Sequence, residues 1–130
     1  MKGVFAILAV ASLCACGGGG SSSTSPNTSP PKVNTTPPAG GISVTNNQYS
    51  PGTKTIAVGA NVTWAWNACT GDPYNGQSCV SHSVTFDDGS ASSPLQDQGS
   101  FTKSFATAGT YTYHCTVHGS QGMTGTITVQ

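Results

Sequence analysis

Three residue types that bind soft metals lie close together near the C-terminus. Cys115 is followed three residues later by His118, and Met123 comes five residues after that. One thiolate, two imidazoles and a weak axial thioether form the ligand set of a type 1 (blue) copper site. A second imidazole is available upstream at His82. The sequence therefore predicts one copper ion held by His82, Cys115 and His118, with Met123 as the long axial ligand.

The elements that must position these ligands are β-strands. From residue 41 onward, Val, Ile, Thr and aromatic residues alternate in short runs separated by Gly, Pro, Asn and Asp. Seven or eight such runs in one chain predict an all-β, Greek-key sandwich. Four large aromatic residues of these runs are expected in its core: Trp64, Trp66, Phe101 and Phe105.

Side-chain alternation along the strands tests whether the ligands can meet. A residue two positions from a core residue shares its face of the strand. His82, Cys115 and Met123 all fall on the core face by this test, if the last strand begins near Met123. His118 lies in the intervening loop and is free to turn inward. The pattern therefore predicts a single site at one end of the sandwich.

Two segments carry a family resemblance. Residues 82–89 read HSVTFDDG and residues 113–123 read YHCTVHGSQGM. In spacing and flanks they resemble the plastocyanin branch of the cupredoxins, over residues 41–130. The resemblance implies single-electron transfer between redox protein partners. In plastocyanins the residue before the ligand cysteine is a surface aromatic at a remote electron port, which makes His114 a candidate port; an exposed strand histidine is the alternative.

Two positions depart from the plastocyanin pattern. Ser83 follows the first histidine where the family usually has an asparagine that ties the ligand loops together, and serine has a shorter reach. Val117 precedes His118 where the family often has proline. Because valine keeps a backbone N–H, we expect it to donate to the Cys115 sulfur and to raise the reduction potential.

Each ligand taken alone has an ordinary structural explanation. Cys115 is also consistent with a buried free thiol, since cysteine is among the most buried residue types. His118 alone fits a surface histidine, and Met123 alone fits core filler. An unpaired cysteine is a liability in an exported protein unless it is ligated. The joint spacing of the three therefore favours copper.

Residues 1–16 predict a bacterial lipoprotein signal peptide. They combine a lysine, an apolar run too short to span a bilayer, and a motif that resembles a lipobox. Cys16 fits as the lipidated residue because the small Ala15 precedes it, whereas a bulky leucine precedes Cys14. An ordinary secretory signal is the alternative. Lipidation at Cys16 predicts an exported protein anchored to a membrane and facing the periplasm or the cell exterior.

Residues 17–40 are rich in Gly and Ser and then in Pro and Thr. Such a segment has little apolar surface to bury and is predicted to be a disordered linker. It would tether the domain at residues 41–130 to Cys16.

Cys69 and Cys79 flank a turn-rich insertion just ahead of His82. If Cys14 is removed with the signal peptide, Cys16 is lipidated and Cys115 binds copper, these two remain as a pair, and a disulfide is the simple outcome outside the cytoplasm. A second metal site is the alternative, but no nearby histidine is left to complete it. We expect the disulfide to clamp the strand that carries His82.

The charged residues do not indicate binding of nucleic acid or of calcium. Lysines and aspartates cancel to a net charge of zero without any Arg or Glu, so the clustered basic residues of a nucleic-acid-binding surface are missing. Asp87, Asp88 and Asp97 suggest calcium only weakly, because Asp-Asp-Gly is first a turn signal and no EF-hand spacing follows. A monomer that meets its partners through apolar and hydroxyl groups is expected.

Electron transfer by a non-enzymatic copper protein is the function that these residues predict. The sequence has no second histidine set for another copper, no nucleophile–base pair and no phosphate-binding loop. A copper-carrying or copper-delivering envelope lipoprotein is the alternative. A metal-free adhesive sandwich is a weaker third hypothesis.

Overall fold

The computed structural model of the protein describes residues 32–130. Residues 1–31, which hold the predicted signal peptide, Cys16 and most of the predicted linker, lie outside this range. Strands and one 3₁₀ turn follow in this order: β1 (Ile42–Thr45), β2 (Gln48–Ser50), β3 (Thr53–Ile56), β4 (Asn61–Trp66), β5 (Cys69–Thr70), β6 (Ser78–Cys79), β7 (Thr85–Phe86), β8 (Ser100–Ser104), β9 (Gly109–His114), the 3₁₀ turn (Gly119–Gln121) and β10 (Thr124–Val129).

The strands form two four-stranded sheets and a small hairpin. One sheet has the order β2-β1-β4-β8 and the other β3-β10-β9-β7, while β5 pairs only with β6. Within the sheets β1–β4 and β3–β10 are parallel and the other pairs are antiparallel. The all-β sandwich predicted from the sequence is confirmed. The hairpin brings the number of strands to ten, above the predicted seven or eight.

Aromatic side chains from both sheets meet in the core. Trp64 of β4 is fully buried and packs edge-to-face on Phe86 of β7 and Tyr113 of β9, with ring centroids 5.8 and 5.4 Å apart. Such edge-to-face pairs add to the free energy gained by burying their surface. Trp66 and Phe105 are also buried as predicted, and Phe101 is partly buried against the same cluster.

Two large residues near β2 and β3 differ in their burial. Tyr49 lies in β2 and is buried. Val58 is exposed because β3 ends at Ile56 and the chain turns at Gly59.

The composition of residues 32–40 predicts that they belong to the linker. In the structure Asn34 and Thr35 form hydrogen bonds with residues of the sandwich. The described part of the chain holds no helix that is long and apolar enough to cross a membrane.

Candidate metal centre

The loop between β9 and β10 carries three of the four predicted ligands. Cys115 directly follows β9, and Met123 directly precedes β10. The Cys115 N–H donates to the Met123 carbonyl at 3.1 Å, so the antiparallel pairing of β9 and β10 extends to these two residues. Both side chains are buried. The prediction that they share the inner face is therefore correct.

His118 is held by the tight turn that follows it. Its carbonyl accepts hydrogen bonds from the N–H groups of Gln121 at 2.9 Å and Met123 at 3.2 Å. The Gly119 N–H donates to the Cys115 carbonyl at 2.7 Å. These bonds close the loop on itself and turn the His118 ring towards Cys115.

His82 reaches the same place from a distant part of the sequence. It lies in an isolated β-bridge with Gln96, where the two residues exchange backbone hydrogen bonds of 2.8 and 3.0 Å. The indole Nε1 of Trp66 donates to the His82 carbonyl at 3.0 Å. The side chain of His82 is fully buried, as its alternation with the core residues predicts.

The three nitrogen and sulfur donors form a compact triangle. His82 Nδ1 lies 3.1 Å from His118 Nδ1 and 3.8 Å from Cys115 Sγ, and His118 Nδ1 lies 3.6 Å from the same sulfur. A point equidistant from the three atoms is about 2 Å from each, which is close to the bond lengths of such donors to a divalent metal. The residues therefore fit a copper ion.

Burial affects the protonation of the donors. Desolvation, with a smaller contribution from the neighbouring His118, lowers the pKa of His82 from 6.5 to about 4. His82 is neutral at pH 7 as a result. A neutral imidazole is the form that binds metal, so the site is ready for copper without losing a proton from His82.

Ser83 joins the two ligand segments in spite of its short side chain. Its Oγ accepts the Thr116 N–H at 3.0 Å and lies 3.1 Å from both Thr116 Oγ1 and Thr85 Oγ1. Its N–H donates to Cys115 Sγ at 3.5 Å. Although Ser83 stands where the family usually has asparagine, the two ligand loops are therefore still tied together. Thr116 and Thr85 complete this hydrogen-bonded link.

Val117 and Cys115 both lie in the described part of the chain, but the Val117 N–H does not form the predicted hydrogen bond with the Cys115 sulfur. Ser83 supplies the backbone N–H at the Cys115 sulfur instead. Val117 lies in the ligand loop with half of its surface exposed. A backbone donor can still stabilise electron density on the thiolate, but it comes from the His82 side of the site.

Tyr49 is a supporting residue that the sequence did not indicate. Its hydroxyl donates to the Ser83 carbonyl at 2.5 Å, and its ring packs against Tyr113 with centroids 4.8 Å apart. Burial, and to a smaller extent the neighbouring Cys115, raises the pKa of the Tyr49 hydroxyl well above its usual range. Tyr49 therefore stays a hydrogen-bond donor to Ser83, the residue that follows His82. Strand propensity alone does not reveal such a partner.

His114 lies on the opposite face of β9 from the copper ligands. Its side chain is 39% exposed, and its Nδ1 lies 2.6 Å from Asp87 Oδ1. Hydrogen bonds from Thr112 first and His114 second hold the pKa of the Asp87 carboxyl below its usual value. Together with the ligand loop, His114 and Asp87 line a depression of about 470 Å³ that reaches Cys115.

Cys69 and Cys79 form the predicted disulfide. They are direct partners in the β5–β6 hairpin, and Cys79 lies three residues before His82. The pair is thus not part of a second metal site. Of the residues at 32–130, only His82, Cys115 and His118 form a metal-binding cluster of His, Cys, Asp and Glu side chains.

Known proteins of similar sequence and structure agree with this geometry. Residues 39–130 match the family described as copper binding proteins, plastocyanin/azurin family. The plastocyanin of Scenedesmus fuscus is 35% identical over 94 residues, covering 63% of this chain and 86% of the relative. The chloroplastic plastocyanin of Tetradesmus obliquus is 40% identical over 86 residues, covering 63% and 58%. The structure of oxidised plastocyanin from Dryopteris crassirhizoma aligns with a TM-score of 0.56 and 26% identity, covering 69% and 99%.

The chain therefore belongs to the plastocyanin/azurin family of copper-binding proteins. Its cofactor is copper, and His82, Cys115, His118 and Met123 are arranged as a type 1 copper site. Membership of this family agrees with electron transfer as the chemistry of the site.

Proposed function

We propose that this protein transfers single electrons through its copper site while tethered to the outer face of a membrane. The observation that carries the electron-transfer part is the triangle of His82 Nδ1, Cys115 Sγ and His118 Nδ1. Copper bound there supplies a one-electron Cu(I)/Cu(II) couple. The chain's own contribution is to hold these donors at fixed separations in both oxidation states.

Burial of the donors favours electron transfer over substrate chemistry. His82 and Cys115 are fully buried and only His118 is partly exposed. A substrate molecule has little access to such a site, whereas an electron can pass through the ring of His118 without any group entering it. We therefore propose a carrier that meets redox proteins and is not an enzyme.

A visible absorption spectrum of the oxidised, copper-loaded protein tests the copper assignment. We expect an intense blue thiolate-to-Cu(II) band, because the thiolate of Cys115 is a ligand in a trigonal site. Cys115→Ser should abolish it, and Val117→Ala, which alters an exposed side chain of the same loop, should retain it. A colourless copper-bound protein would contradict the assignment.

The same sample separates electron transfer from copper delivery. An electron carrier keeps its copper through many cycles of chemical reduction and oxidation, and a delivery protein releases it to an acceptor. We expect the blue band to return fully after repeated cycles in the presence of a Cu(I) chelator. Progressive loss of colour to the chelator would favour the delivery function.

The membrane tether is supported by the lipobox-like sequence that ends at Cys16. Bacterial lipoproteins carry more than one acyl chain, which anchors a protein stably where a single chain is marginal. Intact mass spectrometry of the mature protein should show a lipid-modified N-terminus at Cys16, and Cys16→Ala should lose this modification and remain unprocessed. An unmodified N-terminus downstream of Cys16 would mean plain secretion.

A further inference from the structure

Asn34 docks the segment ahead of the sandwich onto the domain. Its Nδ2 donates to the Cys69 carbonyl at 2.9 Å, and its Oδ1 accepts the Cys69 N–H at 2.8 Å. A side-chain amide that bonds to both backbone groups of one residue satisfies them as a neighbouring β-strand would. The segment is therefore held at a defined point, at the start of the disulfide hairpin.

The residues on either side of Asn34 make further contacts. The Thr35 N–H donates to the Trp66 carbonyl at 2.7 Å, and the Thr35 hydroxyl accepts the Gly99 N–H at 3.1 Å. The Lys32 ammonium forms an ion pair with the Asp97 carboxylate. Residues 32–35 thus bridge the end of β4 and the loop that leads into β8.

One contacted residue holds the backbone of His82 directly, and two others are linked to residues beside it. Trp66 donates its indole N–H to the His82 carbonyl. Asp97 follows Gln96, which exchanges two backbone hydrogen bonds with His82. Cys69 is bonded to Cys79, three residues before His82.

His82 depends on this support because its ring lacks the usual outer contact. Metal-binding histidines are normally oriented by a hydrogen bond on their second ring nitrogen. The buried Nε2 of His82 has no such partner among residues 32–130. His82 also lies in a single β-bridge and not in a continuous strand. The orientation of its ring is therefore set by packing and by its backbone bonds.

We propose that residues 32–35 form a clasp that positions His82 for copper, with Asn34 as its central positioning residue. This inference rests on the role of His82 as a copper ligand. The clasp secures the end of β4 and the loop before β8, and these two elements hold the His82 backbone. Residues 32–35 thus belong to the support of the copper site, and the chain enters the domain beside a copper ligand.

Hydrogen exchange of the copper-free, full-length protein tests the clasp. Asn34→Ala removes both hydrogen bonds to Cys69, Asn34→Asp keeps only the acceptor, and Val33→Ala alters an exposed neighbour as a matched control. We expect the His82 and Gln96 amides to exchange about tenfold faster in Asn34→Ala and about threefold faster in Asn34→Asp. The control should not change. The amides of central strand β10 should keep their rates in all three variants.

Two exchange results would overturn the proposal. Unchanged rates at His82 and Gln96 in Asn34→Ala would show that the segment positions nothing. An equal acceleration in β10 would show general destabilisation and no specific support of His82.

Copper dissociation gives a second readout. We expect copper to leave Asn34→Ala about tenfold faster than the wild-type protein and Val33→Ala at the wild-type rate. Equal rates in all three proteins would contradict the positioning role even if copper binds normally. If the wild-type protein binds no copper, the proposed function is wrong, and a role in positioning a copper ligand is then wrong as well. The wild-type sample by itself reveals this outcome, so it is distinguished from a failure of the positioning role alone.

Discussion

The Ser83 hydroxyl accepts a hydrogen bond from the Thr116 N–H at 3.0 Å across 33 positions of sequence. Ser83 follows one copper ligand, His82, and Thr116 follows another, Cys115. The bond therefore fixes the distance between the two segments that deliver them. Ser83 is almost fully buried, so water does not readily replace it as an acceptor.

Replacing Ser83 by alanine should weaken this tie. Ser83→Ala leaves the Thr116 N–H without its acceptor, at a cost of about 1–3 kcal/mol in the free energy of unfolding. Urea unfolding of the copper-free protein measures the change. Ser120→Ala, an exposed serine in the ligand loop, is the control and should stay within about 0.5 kcal/mol of the wild-type protein. Equal losses in both variants would exclude a specific role for Ser83.

Gly125 allows Tyr113 to pack across β10. A Cβ at position 125 would overlap the Tyr113 hydroxyl and Cζ and would lie 2.6 Å from Cε2. Because Tyr113 is buried against Trp64 and Phe86, the ring has little room to move. Gly125→Ala should therefore destabilise the protein by about 3 kcal/mol, as overpacking does.

A second glycine provides the control for this prediction. A Cβ at Gly52 would meet nothing nearer than 3.7 Å, so Gly52→Ala should change the thermal midpoint little. Similar midpoints for Gly125→Ala and the wild-type protein would show that the Tyr113 ring can shift.

The sequence predicted the sandwich and the copper ligands for a physical reason. Alternation places His82, Cys115 and Met123 on the core face whatever the exact pairing of their strands, and the loop length places His118 beside Cys115. Contacts between segments far apart in the chain depend on register and on side-chain direction. Alternation cannot specify them.

The contacts of Tyr49 and Asn34 illustrate this limit. The Tyr49 hydroxyl reaches Ser83 only because β1 and β2 pair in one register. Asn34 lies in a segment whose polar and Pro-rich composition is typical of a linker, and its two bonds to Cys69 depend on the position of the disulfide hairpin. Composition describes how much apolar surface a segment can bury, but not which backbone groups it can pair with.

The stability of the copper-free protein should fall with acid between pH 6.5 and pH 4. The pKa of His82 is about 4 in the folded protein and near 6.5 when unfolded, so the unfolded chain binds more protons in this range and is favoured as the pH decreases. The loss is about 3 kcal/mol at most. Urea unfolding at pH 7, 5.5 and 4 measures it.

His82→Gln serves as the control for the pH dependence. This variant has no imidazole at position 82, so its stability should vary much less over the same range. If the wild-type protein and His82→Gln lose stability in parallel, another group causes the effect.

The disulfide should contribute to stability through the unfolded state. Cys69 and Cys79 are separated by 10 positions, and closing so short a loop stabilises by about 2–3 kcal/mol in the chain-entropy model. The double variant Cys69→Ser/Cys79→Ser should lose that amount in urea unfolding. Peptide mapping without reduction should recover the two cysteines as one linked peptide, and finding either joined to Cys115 would contradict the pairing.

His114 offers a second route for electrons if the depression beside it is a port. Asp87 is an exposed carboxylate next to the His114 ring, so a small cationic oxidant should be attracted there and an anionic one repelled. His114→Ala should slow oxidation of the reduced protein by the cationic reagent several-fold and leave the rate with the anionic reagent unchanged. Thr110→Ala, on the same exposed face of β9, is the control and should alter neither rate. Unchanged rates with both reagents in His114→Ala would leave His114 as an ordinary exposed histidine. Stopped-flow absorbance of the blue band measures the rates of the wild-type protein and both variants with each reagent.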